Sequence, residues 1–233
     1  PALGRLTAIL LFVLSCYHFY TAGFGIPPST QHRGLHLAFT LALVFLSFVA
    51  WGKAADPRNT ALTPLGLPIV DWVLAIAGVV SALYVPWVFA DLAFRVGAPL
   101  PIDVAMGTIL IVVLLEATRR AMGWPLPVIA CLFIAYAYFG QSMPGVLKHP
   151  GASWTNIVNH LYLTSQGIYG TALGVIATYV FHFVLFGVMA TRIGLGQLFI
   201  DLASAVAGRY AGGPAKVSVL SSAMLGSISG SSI

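Results

Sequence analysis

The sequence predicts an all-α polytopic integral membrane protein. The expectation is about six transmembrane helices, interfacial amphipathic helices and the first arm of a re-entrant helical hairpin. Three observations carry it. Of 233 residues, 59% are hydrophobic and only 7% are charged, where soluble domains carry roughly 25% charged residues. Apolar stretches long enough to cross a bilayer recur between breaks rich in proline and glycine. The last stretch, 212–233, departs from this pattern with seven serines and four glycines, and its one charged residue is Lys216. Irregular backbone survives at membrane depth only where protein shields it or where it lines a polar cavity.

Residues 3–23 form the first apolar stretch. Cys16, Tyr17, His18, Phe19 and Tyr20 stand where a signal peptide would place its small cleavage-site residues, so the stretch reads as a retained span. Gly25, Pro27 and Pro28 break it. The second span, 36–51, ends on Trp51, and the loop 53–68, with Asp56, Arg58 and three prolines, reads as solvent-exposed. Residues 69–94 make the third span, kinked at Pro86. The fourth covers 102–117, with Glu116 and Arg120 spaced to pair on one helix face. The fifth covers 125–143.

Between 145 and 170 polar residues interleave with Trp154, Ile157, Val158 and Leu161, the spacing of an amphipathic helix lying at the interface. The sixth span is 171–191. Residues 198–207, bounded by Gly196 and Gly208, predict a second interfacial helix. Alternating six spans from a cytoplasmic N-terminus puts Arg5, Lys53, Arg58, Arg119, Arg120, Arg192, Arg209 and Lys216 inside, against Arg33, Arg95 and Lys148 outside. That distribution follows the positive-inside rule. The chain starts on proline and stops inside the serine-rich stretch, so both ends read as cut.

The net charge of +5 is scattered over the chain, and no basic-aromatic nucleic-acid surface emerges. Cys16 and Cys131 stand singly in separate apolar stretches and suggest neither a disulfide framework nor a thiolate metal site. No nucleotide-binding glycine pattern occurs, and no nucleophile–base or metal constellation, so the chain reads as no enzyme and needs no cofactor. His182 and His18 lie within spans without an acidic or histidine partner nearby in sequence, and read as neutral packed histidines. His149 and His160 read as surface residues. The acidic residues 56, 71, 91, 103, 116 and 201 fall at span ends or in loops, which favours Na+ over H+ as a coupling ion.

In the serine-rich stretch, Gly212-Gly213-Pro214 starts a helix. Helical spacing puts Ser218, Ser221 and Ser222 on one face. The run from Gly226 through Ser227, Ser229, Gly230, Ser231 and Ser232 is expected to break the helix and offer hydroxyls and carbonyls to a hard cation. Gly226 and Gly230 also form a GxxxG spacing, which marks close helix packing. On spacing alone, packing and binding stay balanced. Lys216 reads as snorkelling to the interface.

The run GRYAGGPAKVSVLSSAMLGSISGSSI resembles the signature of the large membrane subunit of TRAP transporters, the tripartite ATP-independent periplasmic family. EATRRAMGWPLPVIA, HLYLTSQGIYGTALGVIATYVF and GQLFIDLASAVAGRY resemble its fused permeases of the TAXI-associated type. The resemblance implies a small-subunit-like four-helix scaffold over 1–123, a connecting helix and loop over 124–150, and the start of a large, DctM-like transport region over 151–233. It further implies that Ser227, Ser229, Gly230, Ser231 and Ser232 form a hairpin tip binding Na+ and a substrate carboxylate. Ser221, Ser222 and Gly226 would support them, and a return arm would follow. The implied activity is Na+-coupled import of dicarboxylate-like organic acids across the bacterial inner membrane, delivered by a periplasmic TAXI-type binding protein. An ion channel with a serine-glycine filter, or a scaffold subunit packing through GxxxG, competes with it.

Overall fold

The computed structural model describes residues 2–48 and 66–229, and every element in them is helical. The interfacial end of the second span at Trp51 and the loop carrying Lys53, Asp56 and Arg58 lie outside the described residues. Helix α1 is Ala2–Phe24; Gly25, at φ 103°, turns the chain where a side chain would be strained. Helix α2, Ser29–Ser47, starts directly after Pro28. Helix α3 is Ile69–Trp87. The short α4, Leu92–Arg95, leads to α5, Pro101–Met122, which opens on a proline and ends at Gly123. Helix α6, Pro125–Tyr138, precedes a long turn-rich connection.

Helix α7, Trp154–Val158, runs into a π-helical turn, Asn159–Leu163. Helix α8, Thr171–Val175, passes through a second π turn, Ile176–Val180, into α9, Phe181–Arg192, as one continuous rod. Helix α10, Leu195–Ala207, and α11, Gly213–Ser229, close the described chain. Four of these are long and apolar enough to cross a membrane: α1, α3, α5 and the rod Thr171–Arg192. Helix α2, expected as the second span, carries His32, Arg33 and His36 in its first turns and is not among them. Helix α6 stops after 14 residues, about 21 Å, short of ~30 Å of hydrocarbon.

The core is built by α2, α3 and α5, with Leu37, Leu41, Phe45, Ala82, Val85, Leu110 and Val113 buried among them. Small residues bring the helices close. A Cβ on Gly34 would collide with Pro86, and one on Gly107 with Val158 and Tyr162. Close approach lets dispersion contacts hold helices together where lipid offers no hydrophobic drive.

Pro86 ends α3 rather than kinking a longer span: the helix stops one residue later, at Trp87. A proline has no N–H for the carbonyl four residues back and its ring crowds that carbonyl. The carbonyl belongs to Ala82, and it accepts a hydrogen bond from the Tyr169 hydroxyl at 2.7 Å. The preceding carbonyl, Ser81, accepts from the Tyr162 hydroxyl at 2.6 Å. Two phenols thus supply donors to the turn that the proline opens. Both are deeply buried, which pushes their pKa values well above the usual tyrosine range.

Those tyrosines come from the segment expected to lie on the surface as an amphipathic helix. The structure corrects that reading. Ile157, Val158, Tyr162 and Leu163 are buried, and the Trp154 indole donates to Thr108 on α5 at 2.9 Å. A π turn widens the helix after Val158, and its inward face carries Tyr162 and Leu163 with Leu161 half-buried against the same core. His149, read as a surface residue, donates from Nε2 to the Tyr136 carbonyl at 3.1 Å and covers Gly140, holding the chain after α6.

Ion pairs gather at both ends of α5. Asp103, in the first turn of α5, accepts from the Leu100 N–H, the Tyr84 hydroxyl and Arg95; the Asp103 carboxylate holds the Arg95 pKa above its ordinary value against partial desolvation. At the opposite end of α5, Arg120 pairs with Glu116 at 2.7 Å, as the spacing predicted, and also with Asp71 of α3 at 2.6 Å. Asp71 and Arg120 have side chains 0% and 2% exposed. Arg120 additionally donates to the Phe48 carbonyl and stacks over Phe45.

Candidate functional site

Helices α10 and α11 carry the serine-rich element. Gly194 and Gly212 enter them with φ of 90° and 74°. The backbones at Gly208 and Gly213 touch so closely that a Cβ on Gly213 would meet the Gly208 carbonyl. This is the local reason the GRYAGGP turn needs glycine. Phe199, Ala203 and Ala207 are the buried residues of α10. Lys216 lies 5.8 Å from the Tyr210 ring centroid, and Arg209 stacks on the same ring at 5.3 Å.

Helix α11 corrects one expectation. It does not break at Gly226 but stays helical to Ser229, because each serine can satisfy its hydroxyl on its own helix without unwinding it. The Ser221 hydroxyl donates to the Ser218 carbonyl at 3.2 Å, and Ser227 donates to the Met224 carbonyl at 2.7 Å. Ser218, Ser222, Gly226 and Ser227 are exposed, Ser221 is half-buried, and a Cβ on Gly226 would meet nothing. At 100° per residue, positions 218, 221, 222 and 229 share one stripe, while 227 falls about 180° from 218. Gly230, Ser231 and Ser232 lie outside the described residues, as does the Ser229 side chain.

A second polar centre joins residues that the sequence keeps far apart. His18 of α1, His32 and His36 of α2 and His182 of α9 pack together, with the His18 ring centroid 5.0 Å from His36, 5.3 Å from His32 and 5.0 Å from His182. The reading of His18 and His182 as histidines without a histidine partner is therefore overturned: each is the other's neighbour across the bundle. His18 Nε2 and His36 Nδ1 lie 3.0 Å apart. His32 Nε2 donates to the Ala177 carbonyl inside the second π turn at 3.2 Å, and its Nδ1 accepts from the Tyr17 hydroxyl at 2.9 Å. His182 Nε2 donates to the His18 carbonyl at 2.8 Å. Arg33 donates to the Tyr169 carbonyl from the next position on α2.

One signal was present in the sequence: His32 and His36, four apart, face the same side of α2. Nothing in the sequence pointed to α1 or α9 as the elements that meet them. Among the described residues, no group of three His, Cys, Asp or Glu side chains is arranged to hold a metal ion.

Comparison with protein families finds a match. The family model described as the tripartite ATP-independent periplasmic transporter, DctM component, matches residues 109–233. No curated protein and no solved structure matches the chain. The matched region begins within α5 and takes in α6 to α11, including His182 and every serine of α11. A match over more than half of the chain, on a helical body with four span-length apolar helices, makes this multi-pass membrane protein a member of the DctM family, the permease component of TRAP transporters.

Proposed function

We propose that the chain takes part in Na+-coupled import of organic acids, dicarboxylate-like in chemistry, across the bacterial inner membrane with its N-terminus in the cytoplasm. Family membership makes it a transporter component rather than an enzyme and implies a periplasmic solute-binding protein as its partner; on our reading that protein is of the TAXI type. Residues 1–123 act as a scaffold, 124–150 connect, and 151–233 begin the transport region. The observation that carries this reading is that the family match runs through α11, whose Ser218, Ser222 and Ser227 are exposed.

In this scheme Ser227, Ser229, Gly230, Ser231 and Ser232 contact Na+ and the substrate carboxylate, with Ser221, Ser222 and Gly226 behind them. No covalent chemistry is required: transport follows from unequal binding in two orientations of a moving element. The test is uptake of a radiolabelled dicarboxylate by the full-length permease in proteoliposomes, with the binding protein, with and without an inward Na+ gradient. Uptake should require the gradient, and Ser229→Ala or Ser231→Ala should reduce it while insertion is preserved. Uptake indifferent to Na+ removes the coupling assignment; unchanged uptake in both variants removes the site.

A further inference from the structure

We propose that the four-histidine cluster is a proton-binding site, and that proton uptake there loosens the joint between α1–α2 and the rod Thr171–Arg192. Three observations carry the inference, and it does not depend on the Na+ reading above.

The first is which atoms are free. A carbonyl only accepts, so His32 and His182 must each carry their ring proton on Nε2, facing Ala177 and His18. The Nδ1 of His182 is then a bare lone pair. It is buried and has no hydrogen-bond partner, and the same absence of a partner holds for Nδ1 of His18, whose residue is 0% exposed. Buried polar atoms without partners are uncommon and call for an explanation. Two of them, on neighbouring imidazoles whose ring centroids are 5.0 Å apart, give the cluster a place to accept a proton.

The second is the charge around it. Facing the cluster from α1 is Tyr17, from α2 come His32, Arg33 and His36, from the π turn only the Ala177 carbonyl, and from α9 His182. Among the described residues, no carboxylate is hydrogen-bonded to any of the four rings. An imidazolium formed here meets other imidazoles and Arg33 with no compensating anion, and a buried uncompensated charge is relieved by admitting water.

The third is what the neutral cluster holds together. His32 Nε2 donates to the Ala177 carbonyl, and His182 Nε2 donates to the His18 carbonyl with the Thr21 hydroxyl oxygen beside it as a second acceptor; these side-chain hydrogen bonds tie the first two helices to the rod. The joint sits at a π turn, a local widening frequent at functional sites. Protonation thus adds charge where side-chain hydrogen bonds hold the joint. With falling pH the imidazoles gain protons, the closed joint loses stability, and the open form gains.

The experiment uses the full-length protein in lipid nanodiscs, with spin labels at Phe12→Cys on α1 and Val188→Cys on α9, both exposed positions. Cys16→Ser and Cys131→Ser remove the exposed free thiols. The label-to-label distance should lengthen and broaden reversibly between pH 8 and pH 3, and the change should vanish in His18→Gln/His182→Gln, which keeps amide hydrogen bonding but takes up no proton. A distance unchanged with pH, or the same change in the double variant, overturns the proposal. Should the double variant fail to fold, nitrogen-15 histidine NMR on the otherwise native protein decides. Imidazolium signals must appear over the same pH range as the distance change, and either one without the other overturns the proposal.

Discussion

The α2–α3–α5 bundle and the α10–α11 pair treat polar groups in opposite ways. In the bundle, the polar groups that link one helix to another are buried and spent on neighbours. Tyr162 and Tyr169 supply donors to the carbonyls next to Pro86, Trp154 bonds Thr108, and Arg120 bridges Asp71 and Glu116. In α11, Ser218, Ser222 and Ser227 are exposed, Ser221 and Ser227 donate to carbonyls of their own helix, and the space beside Gly226 is open. A hydroxyl bonded within its own turn can exchange that bond for a ligand without disturbing the packing of another helix. The bundle's polar groups have no such freedom, since each one released leaves a buried partner unsatisfied. The comparison separates groups that hold the fold from groups available to a solute.

The largest expected effect tests the first half of that contrast. Arg120→Ala leaves Asp71 buried and without its cation, which costs about 3–5 kcal/mol; SDS- or heat-induced unfolding of the purified protein should register it. Arg120→Ala unfolding at the wild-type midpoint would mean that Asp71 is not buried as the structure places it. Gly107→Leu follows, at about 3 kcal/mol, because the side chain would have to displace Val158 and Tyr162. Tyr169→Phe removes one hydroxyl and strands the Ala82 carbonyl, costing roughly 1–2 kcal/mol. Its partner variant Tyr136→Phe, whose hydroxyl bonds the exposed Leu147 carbonyl, should cost less because water can replace that bond. Equal losses in the two would show that the proline gap needs no donor. Smallest of all, Ser222→Ala and Ser227→Ala should shift stability by no more than about 0.5 kcal/mol. A larger loss would mean that α11 is packed as the bundle is, and would erase the contrast.

The sequence carried much of this and missed the rest for identifiable reasons. The Glu116–Arg120 pair was legible because both ends lie on one helix, four residues apart. The start of α11 at Gly212-Gly213-Pro214 was legible for the same local reason. Asp71 as the third member of the ion-pair network was not, because α3 and α5 meet only in three dimensions. The apolar spacing of 154, 157, 158 and 161 was legible, and these positions do share a face, but the sequence did not show that this face packs on α5 with Tyr162 and Leu163 instead of lying at the membrane interface. The expected break at Gly226 failed because flexible residues permit unwinding without compelling it, and α11 remains helical through Ser227.

Composition and local spacing determined by themselves that this chain is a helical membrane protein, where its helices begin at proline and glycine, and which terminal segment carries an excess of hydroxyls. Those properties follow from single residues and their near neighbours, which a linear sequence states directly. Only the tertiary structure decided that His18, His32, His36 and His182 form one cluster, and that phenols from residues 162 and 169 supply donors where Pro86 opens α3. It also decided that the serines of α11 lie on two faces of one unbroken helix. The first two depend on helix faces brought together across long stretches of chain, 81 residues between Ser81 and Tyr162 and 164 between His18 and His182; the third depends on a helix staying intact where its residues also permit a break. Spacing along the chain encodes neither.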